Sequence, residues 1–387
     1  MLRLLHTADV HLGARHADLG EEASAQRERQ FAAFQATVAL AIAEKVDLVL
    51  IAGDLFDSNT QPRRSVERVA AELKRLAAAK IRTVIIPGTH DVYDRSSVYR
   101  AYDLPALAGS ADDDFVTVLT PDRPDVVLST CDVVVHAGVF PTKRAPHSPL
   151  RDIRAKGDER ATWHVGLVHG ALAISGKTDA DEVVLNREDI ATSGLDYLAL
   201  GHWHSAQQGT ATGVTYAYSG SPEPVALDQD RAGKVLLVTL EEVSGRKTVT
   251  IEARQVGRTR FERLEVDAGT IGSQPELVSQ LAARADPDLV LDARLVGVRP
   301  DDLDLDTDEV ETQLKPSFLK VRVRDASLPA LTAGALPAAD TIAGAFIRDV
   351  EGRIAELEAS DQAEDAAELR DVLRLGRLLL MGHEVTL

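Results

Sequence analysis

Five short motifs rich in aspartate, histidine and glycine lie within the first 205 residues of the chain. They are Asp9-Val10-His11, Gly53-Asp54-Leu55-Phe56-Asp57, Gly88-Thr89-His90-Asp91, His169-Gly170 and Gly201-His202-Trp203-His204. Carboxylate and imidazole groups without thiolates are the ligands that hard divalent metals such as Mn²⁺ favour. Two such ions held side by side can activate water against a phosphate ester. The motifs therefore predict a metal-dependent phosphoesterase.

Each motif taken alone is weak support for a metal site. An Asp-x-His pair is common background, Gly-Asp is favoured in turns on conformational grounds, and Gly-His-x-His can be an ordinary loop pair. The five motifs occur in one order, however, and each directly follows an apolar run. That combination favours a shared metal centre over five unrelated loops.

The first and last motifs each place two ligand-type residues two positions apart. On an extended backbone, Asp9 and His11 would point to one side of the chain, and so would His202 and His204. We therefore expect each pair to converge on the metal ions.

The remaining motifs supply a bridge and the groups that act beyond ligation. We expect Asp54 to be the bridging carboxylate and His169 to complete the second metal site. His90 is the candidate for stabilising the phosphate charge and protonating the leaving oxygen. Asp91 either orients His90 or forms a turn, and Asp57 either hydrogen-bonds a metal-ligating histidine or caps its loop. The other histidines are expected not to bind metal: His6, His16, His136, His147, His164 and His383. Of these, His136 is the reserve candidate.

Alternating strands and helices must position these motifs. Apolar runs at residues 2–8, 47–52 and 81–86 read as strands, and helices are predicted from about Ser24 and from Pro62. This alternation predicts a mostly parallel α/β core. Later strands at 131–136, 164–168, 196–200, 214–218 and 235–240 extend it to a two-sheet sandwich flanked by helices.

The composition changes near residue 265. We expect a first domain at 1–265, a small α/β unit at 266–325, a linker at 326–338 and C-terminal helices at 339–387. Asp340 is the predicted cap of the first terminal helix. The second is predicted to begin at Asp361, with Glu364 in the capping-box position.

Composition limits the class of protein. The chain has 387 residues, 44% of them hydrophobic, a single cysteine, Cys131, and a net charge of −18. No apolar run approaches the roughly 18 residues that would span a bilayer, and the first motif begins too early for a removable signal peptide. We therefore expect a cytoplasmic protein without a membrane partner. The acidic charge predicts weak unaided DNA binding, so a partner would supply phosphate contacts.

The motifs resemble those of the calcineurin-like metallophosphoesterase superfamily. Residues 6–13, 199–204 and 216–223 are similar to the SbcD/YhaO branch, which contains DNA repair nucleases related to the nuclease subunit of the double-strand-break repair complex. Residues 375–382 resemble the end of YhaO-type proteins. The resemblance implies a Mn²⁺-dependent DNA exonuclease/endonuclease of repair and recombination. It also implies a homodimer that works with an SMC-like ABC ATPase of the SbcC/YhaN type.

Roles can be carried over from the family motif by motif. Asp54 would be shared between the two metal ions, with His90 acting at the phosphate. The ligands implied for the first ion are Asp9, His11, Asp54 and His204, and those for the second are Asp54, His169 and His202. Residues 266–325 would be a capping domain, and the terminal helices would dock on the ATPase coiled coil, unless they form an ordinary helical hairpin.

One residue departs from the family pattern. Thr89 stands where the family carries an asparagine whose amide oxygen ligates the second metal. A threonine hydroxyl is shorter and a weaker ligand, so we expect Thr89 to weaken the second site. Two alternatives to a DNA nuclease stay open. One is a phosphodiesterase for small molecules or nucleotides, which the net charge of −18 favours. The other is a non-catalytic DNA-end-binding partner of an ATPase, in which Thr89 marks a degraded site.

Overall fold

The computed structural model divides into two compact units, Met1–Phe261 and Glu262–Leu387. It describes residues 1–16, 20, 23–111, 113–145, 147–173, 183–225, 229, 231–300, 303–329, 337–338, 340–360 and 362–380. The predicted cap at Asp361, residues 330–336 of the predicted linker, and His383 lie outside the described residues. Among the described helices, none is both long enough and apolar enough to cross a bilayer.

The first unit contains two mixed six-stranded sheets. Its strands are β1 Leu2–Thr7, β2 Leu48–Ala52, β3 Arg82–Ile86, β4 Val116–Val118, β5 Asp125–Leu128, β6 Val133–Gly138, β7 Trp163–His169, β8 Ala171–Leu172, β9 Val184–Leu185, β10 Tyr197–Gly201, β11 Gln207–Ala211, β12 Val214–Tyr218, β13 Lys234–Val243 and β14 Arg246–Gln255. Its helices are α1 Ala23–Ala43, α2 Arg63–Ala78, α3 Val98–Ala101, α4 Leu104–Leu107 and α5 Arg187–Thr192.

Parallel pairing fills the middle of both sheets. The first has the order β14-β13-β1-β2-β3-β4, in which β1 to β4 are parallel. The second has the order β11-β12-β10-β7-β6-β5, in which β12, β10, β7 and β6 are parallel. The carboxyl ends of neighbouring parallel strands lie at one edge of a sheet, so the loops that leave them are brought together.

Strand β2 shows how the layers pack. Its alternate residues Leu48 and Leu50 face the core shared with the second sheet. Val49 and Ile51 face the core formed with α1 and α2. Because successive side chains of a strand point to opposite faces, a continuous apolar run is required where both faces are covered. The predicted two-sheet sandwich flanked by helices is confirmed.

The second unit has its own core around a three-stranded sheet. Its strands are β15 Arg260–Asp267, β16 Asp286–Val296, β17 Val298–Arg299, β18 Phe318–Asp325 and β19 Leu328–Pro329, and its helices are α6 Gln274–Ala282, α7 Thr307–Leu314, α8 Ile342–Ala359 and α9 Ala363–Leu380. The sheet has the order β15-β16-β18. Leu277, Leu291, Val310 and Phe318 are among the residues buried between it and helices α6 and α7.

Three features of this unit differ from the sequence expectations. Helix α7 was not predicted, because it is a short helix within an acidic stretch; its cap is Asp306, which accepts a hydrogen bond from the backbone of Glu309 at 3.0 Å. The predicted Asp340 cap of α8 is wrong. The neighbouring Thr341 caps α8 by accepting from the Gly344 N–H at 3.0 Å. Part of the predicted linker also forms β19, which pairs with β17.

Helices α8 and α9 pack against each other as a hairpin. Arg377 forms an ion pair with Glu351 at 2.7 Å. The Phe346 ring lies against Gly376, where any larger side chain would collide with it. The assignment of residues 266–325 and 339–387 to particular functions stays a prediction.

Candidate metal centre

Five loops at strand ends bring the predicted site residues together. Asp9 follows β1, Asp54 follows β2, and the segment from Gly88 to Asp91 follows β3. His169 is the last residue of β7, and His202 directly follows β10. Backbone hydrogen bonds join the first two loops, because the Asp9 N–H donates to the Gly53 carbonyl at 3.1 Å. The sheets therefore place all five motifs around one centre.

Four predicted ligands have a left-handed backbone. The φ angles are 53° at Asp9, 49° at His11, 51° at Asp54 and 105° at His202. The expected extended backbone is therefore wrong at Asp9, His11 and His202, although the side chains of Asp9 and His11 do converge. Left-handed geometry is costly for residues with a Cβ and persists where the surroundings enforce it, as at functional sites. Concentration of this strain in the candidate ligands supports a functional role for the loops.

Asp54 lies in the middle of the centre. One of its carboxylate oxygens is 3.2 Å from Nε2 of His169 and 3.8 Å from Nε2 of His11. The other oxygen accepts the backbone N–H of His90 at 2.7 Å. Asp9 is equally buried and accepts the backbone N–H of His202 at 2.9 Å. Two buried carboxylates thus face several imidazoles in a small volume.

The ligand-type atoms fall into overlapping groups. Within the described part of the chain, the groups compact enough to hold an ion at this centre are Asp9–His11–His204, Asp9–Asp54–His169 and His11–Asp57–His90. Nε2 of His11 is 3.1 Å from Nε2 of His204. The His202 ring meets the His169 ring edge-on, with centroids 5.4 Å apart. All six residues predicted to hold two metal ions therefore surround one centre.

The electrostatics show a site that requires positive charge. Burial raises the pKa of Asp9 to about 6, and the Asp54 carboxylate adds to the rise. Burial alone would lower the pKa of His169, but the carboxylates of Asp54 and Asp9 outweigh it and raise that pKa to about 10. Burial would likewise raise the pKa of Asp54, but the neighbouring imidazoles hold it well below its usual range. The two carboxylates therefore favour a positive charge at the His169 ring, which a bound metal ion would supply.

The hydrogen bonds of His169 provide a test of whether a metal fits. Its Nδ1–H donates to the Ala52 carbonyl at 2.9 Å, which directs the lone pair of Nε2 toward the Asp54 carboxylate. That Nε2 atom is buried, and although it is 3.2 Å from the Asp54 oxygen, it makes no aligned hydrogen bond within the described part of the chain. A lone pair facing a carboxylate oxygen is repulsive unless a cation or a proton lies there. Metal-bound histidines usually donate their other N–H to a carbonyl or carboxylate, so the residues fit divalent ions.

Two other histidines of the centre, unlike His169, have pKa values below the usual range. Burial lowers the pKa of His202 to about 4 and that of His204 to about 3, with nearby imidazoles adding to each effect. Neutral imidazole is the form that binds metals. These groups are therefore ready to ligate without first losing a proton.

Asp57 contacts a ligand-type histidine. Its carboxylate is 3.2 Å from Nδ1 of His11. Its backbone carbonyl accepts from Nδ1 of His90 at 3.0 Å, and the His90 side chain is 47% exposed. Asp57 thereby positions two imidazoles, one facing the buried ligands and one facing solvent. This geometry favours hydrogen bonding to a ligand over loop capping alone.

Asp91 is fully buried and holds the loop that carries His90. It accepts the backbone N–H groups of Gly88 at 2.7 Å and Phe56 at 3.1 Å, and the Tyr99 hydroxyl at 2.6 Å. These bonds link the loops after β2 and β3. They favour the loop-forming alternative for Asp91 over direct contact with the His90 ring.

The Thr89 hydroxyl reaches the centre. It donates to the Asp54 carboxylate at 3.4 Å. This position lets Thr89 touch the carboxylate that is predicted to bridge the two metal ions. Whether Thr89 ligates a metal stays a prediction.

Sequence reasoning missed several residues that support the site. The side-chain amide of Gln229 contacts Nδ1 of His204, from 25 positions along the chain. The Tyr218 hydroxyl donates to the Gly170 carbonyl at 2.7 Å and accepts the Leu172 N–H at 3.0 Å, which fixes the loop after His169. Tyr218 lies in the stretch that resembles the SbcD/YhaO branch, so that resemblance was its available signal.

Comparison with known proteins identifies the family of the part of the chain that carries the motifs. A family model described as calcineurin-like phosphoesterase matches residues 2–206. The chain is similar to the DNA double-strand break repair protein Mre11 of Aeropyrum pernix, with 32% identity over 70% of this chain and 65% of that protein. It is similar to the uncharacterized metallophosphoesterase YhaO of Bacillus subtilis, with 27% identity over 57% of this chain and 53% of that protein.

The chain spans less than two thirds of the length of those two relatives. It is also similar to the Mre11 protein of Halobacterium salinarum, with 25% identity over 95% of this chain and 97% of that protein. The family model covers more than half of the chain and includes all five motifs. The chain belongs to the calcineurin-like phosphoesterase family.

Proposed function

We propose that the protein is a metal-dependent DNA nuclease that processes DNA ends. The observation that carries the proposal is the buried pair of carboxylates, Asp9 and Asp54, facing Nε2 of His169, which is 3.2 Å from an Asp54 oxygen. The phosphoesterase family supplies the reaction class. The relatives named DNA double-strand break repair protein Mre11 support DNA as the substrate.

The centre would hold two divalent ions, with Mn²⁺ as the proposed metal. Asp54 would be shared, because it lies between His11 and His169. The proposed ligands of the first ion are Asp9, His11, Asp54 and His204, and those of the second are Asp54, His169 and His202. When bound, such a pair of ions supplies Lewis-acid activation of water and of the phosphodiester.

His90 is the proposed catalytic group beyond ligation. Its Nδ1 donates to the Asp57 carbonyl, so its Nε2 remains available to a substrate. Its backbone N–H is tied to Asp54, which fixes the ring beside the proposed bridging ligand. From there it would stabilise the phosphate charge and return a proton to the leaving oxygen.

The roles proposed for the second unit, the partner and the oligomeric state rest on similarity to the relatives. We propose residues 266–325 as a capping domain that shapes DNA access. Residues 339–387 would bind an SMC-like ABC ATPase of the SbcC/YhaN type. Homodimerisation of the nuclease domain, both exonuclease and endonuclease activity, and a role in recombination belong to the same proposal. The single cysteine favours a reducing compartment, and we propose the cytoplasm.

End-labelled linear DNA incubated with the purified chain and Mn²⁺ tests the proposal. Asp54→Ala removes the shared ligand, and Asp122→Ala removes an exposed carboxylate as the matched control. We expect cleavage by the parent and by Asp122→Ala, and none by Asp54→Ala.

A chromogenic phosphodiester run in parallel separates the alternatives. Cleavage of the small diester alone, with DNA untouched even when the ATPase partner is added, would replace the nuclease with a small-molecule phosphodiesterase. Binding of DNA ends without cleavage of either substrate at saturating Mn²⁺ would replace it with a non-catalytic partner whose second site Thr89 has weakened.

A further inference from the structure

A second cluster of metal-ligand side chains lies away from the centre described above. It consists of His136 on β6, His164 near the start of β7 and Asp158 in the loop before β7. His164 precedes His169 by five residues on the same strand, a separation of about 16 Å at about 3.3 Å per residue. The cluster therefore cannot share an ion with the first centre.

The ligand atoms of this cluster converge. Nε2 of His136 is 3.1 Å from Nδ1 of His164, and Nδ1 of His164 is 3.9 Å from the Asp158 carboxylate. Two nitrogens bound to one tetrahedral zinc ion at about 2.0–2.1 Å lie about 3.3–3.4 Å apart. The spacing of the three groups thus needs only small adjustments to take an ion.

Backbone carbonyls orient the central histidine. Nε2 of His164 is 3.0 Å from the Asp158 carbonyl and 3.1 Å from the Ala161 carbonyl. Since carbonyls only accept, the proton resides on Nε2 and the lone pair on Nδ1. This is the arrangement in which a histidine binds a metal through one nitrogen and is held by a carbonyl through the other.

In this structure Nε2 of His136 donates to the Nδ1 lone pair of His164, so His136 would ligate through Nε2 once its proton moves to Nδ1. Burial lowers its pKa to about 4, with the neighbouring His164 and Arg160 adding to the effect. Its ring stacks on that of His164 with centroids 5.4 Å apart. Both imidazoles of the cluster are largely buried, so a lone pair there is shielded from water.

The charged groups around the cluster carry a net negative charge, which favours binding of a cation. Arg160 donates to the Asp158 carboxylate at 2.8 Å and to that of Asp125 at 2.7 Å. Two carboxylates therefore face one guanidinium, and one negative charge remains. Asp125 lies opposite His136 in the β5–β6 ladder. A cavity of about 450 Å³ lined by His136, Asp125 and Arg160 provides space for water beside the cluster.

We propose that His136, His164 and Asp158 form a further metal site that takes Zn²⁺, with water from the cavity as the fourth ligand. Two imidazoles and one carboxylate suit this borderline ion. The site would tie β6, β7 and the loop at 158–162 together at the end of the sheet away from the catalytic centre. Both histidines were expected from the sequence to be non-ligands, with His136 in reserve, so the proposal departs from that expectation.

The test counts zinc ions bound by the full chain after chelator treatment, Zn²⁺ reloading and dialysis, using elemental mass spectrometry. We expect His136→Gln and Asp158→Asn each to bind one ion fewer than the parent. His147→Gln is the matched control, because it removes an imidazole that is 3.6 Å from the Asp152 carboxylate and is not part of the cluster. The control should keep the parent's count.

Cobalt substitution gives a second measurement on the same proteins. Co²⁺ in the His136–His164–Asp158 site should add visible absorption bands that disappear in both site variants and persist in the control. If His136→Gln does not fold, Asp158→Asn decides, since it preserves the size of a partly exposed side chain. Identical zinc counts and cobalt spectra in the parent and the folded site variants would overturn the proposal and leave a histidine pair held by a hydrogen bond.

Discussion

Replacing Asp57 with asparagine tests how the metal centre is held. The Asp57 carboxylate is 3.2 Å from Nδ1 of His11, whose side chain is 1% exposed. A hydrogen bond to a charged group contributes about 1.5–3 kcal/mol, and loss of such support to a metal-binding histidine weakens metal binding about 10–100-fold. At about 1.4 kcal/mol per factor of ten, the two magnitudes agree. We therefore expect the Mn²⁺ dissociation constant of Asp57→Asn to rise about 10–100-fold.

The same variant should lose little of its maximal rate. His90 is held by the backbone carbonyl of Asp57, which the substitution does not change. Titration calorimetry measures the change in Mn²⁺ affinity, and cleavage rates across a Mn²⁺ series measure kcat at saturation. Asp94→Asn, in the neighbouring loop, is the matched control. Unchanged Mn²⁺ affinity, or a kcat that stays low at saturating Mn²⁺, would refute a positioning role for Asp57.

Three further substitutions probe the centre and the core. Thr89→Asn should lower the Mn²⁺ concentration needed for the second ion, because an amide oxygen is a better ligand than a hydroxyl; calorimetry that shows no change would remove Thr89 from the site. His90→Gln should reduce kcat by about 10²–10⁴ without changing Mn²⁺ affinity, and a normal kcat would exclude its catalytic role. Burial lowers the pKa of His6 to about 3, so below pH 6.5 the unfolded chain takes up a proton that the folded chain does not. The free energy of unfolding should therefore fall by about 1.6 kcal/mol more between pH 6.5 and pH 5 in the parent than in His6→Gln. Equal falls in the two proteins, measured by urea unfolding at both pH values, would contradict this.

The sequence was sufficient to predict the layers of the first unit. The run at residues 47–52 predicted a strand covered on both faces, and β2 packs Leu50 against one core and Ile51 against the other. Because parallel strands align their carboxyl ends, motifs far apart in sequence could be predicted to meet. The hydrophobic pattern and the parallel strand order were enough to predict the layers and the meeting of the motifs.

Local backbone geometry could not be predicted in the same way. The left-handed conformations of Asp9 and His11 depend on bonds to the loop after β2, such as His11 N–H to the Asp54 carbonyl at 3.0 Å. Such bonds exist only once the sheet has formed. The contact between Gln229 and His204 likewise depends on tertiary packing, and no local pattern around residue 229 indicates it.

The second unit shows the limit of pattern reasoning for short elements. Helix α7 has eight residues, and its stability comes from the Asp306 cap and from burial of Val310 and Leu314. Neither contribution produces a long periodic signal. The cap of α8 at Thr341 rather than Asp340 shows that element ends are decided by single hydrogen bonds.

Electron paramagnetic resonance of the Mn²⁺-loaded chain, recorded alongside DNA cleavage during a Mn²⁺ titration, tests the proposed dinuclear chemistry most directly. If Asp54 joins two ions, a spin-coupled Mn²⁺ pair should form, cleavage should rise in step with it, and both should be absent in Asp54→Ala. Cleavage that reaches its maximum with isolated ions only, or that persists in Asp54→Ala, would contradict a two-ion phosphodiesterase centre.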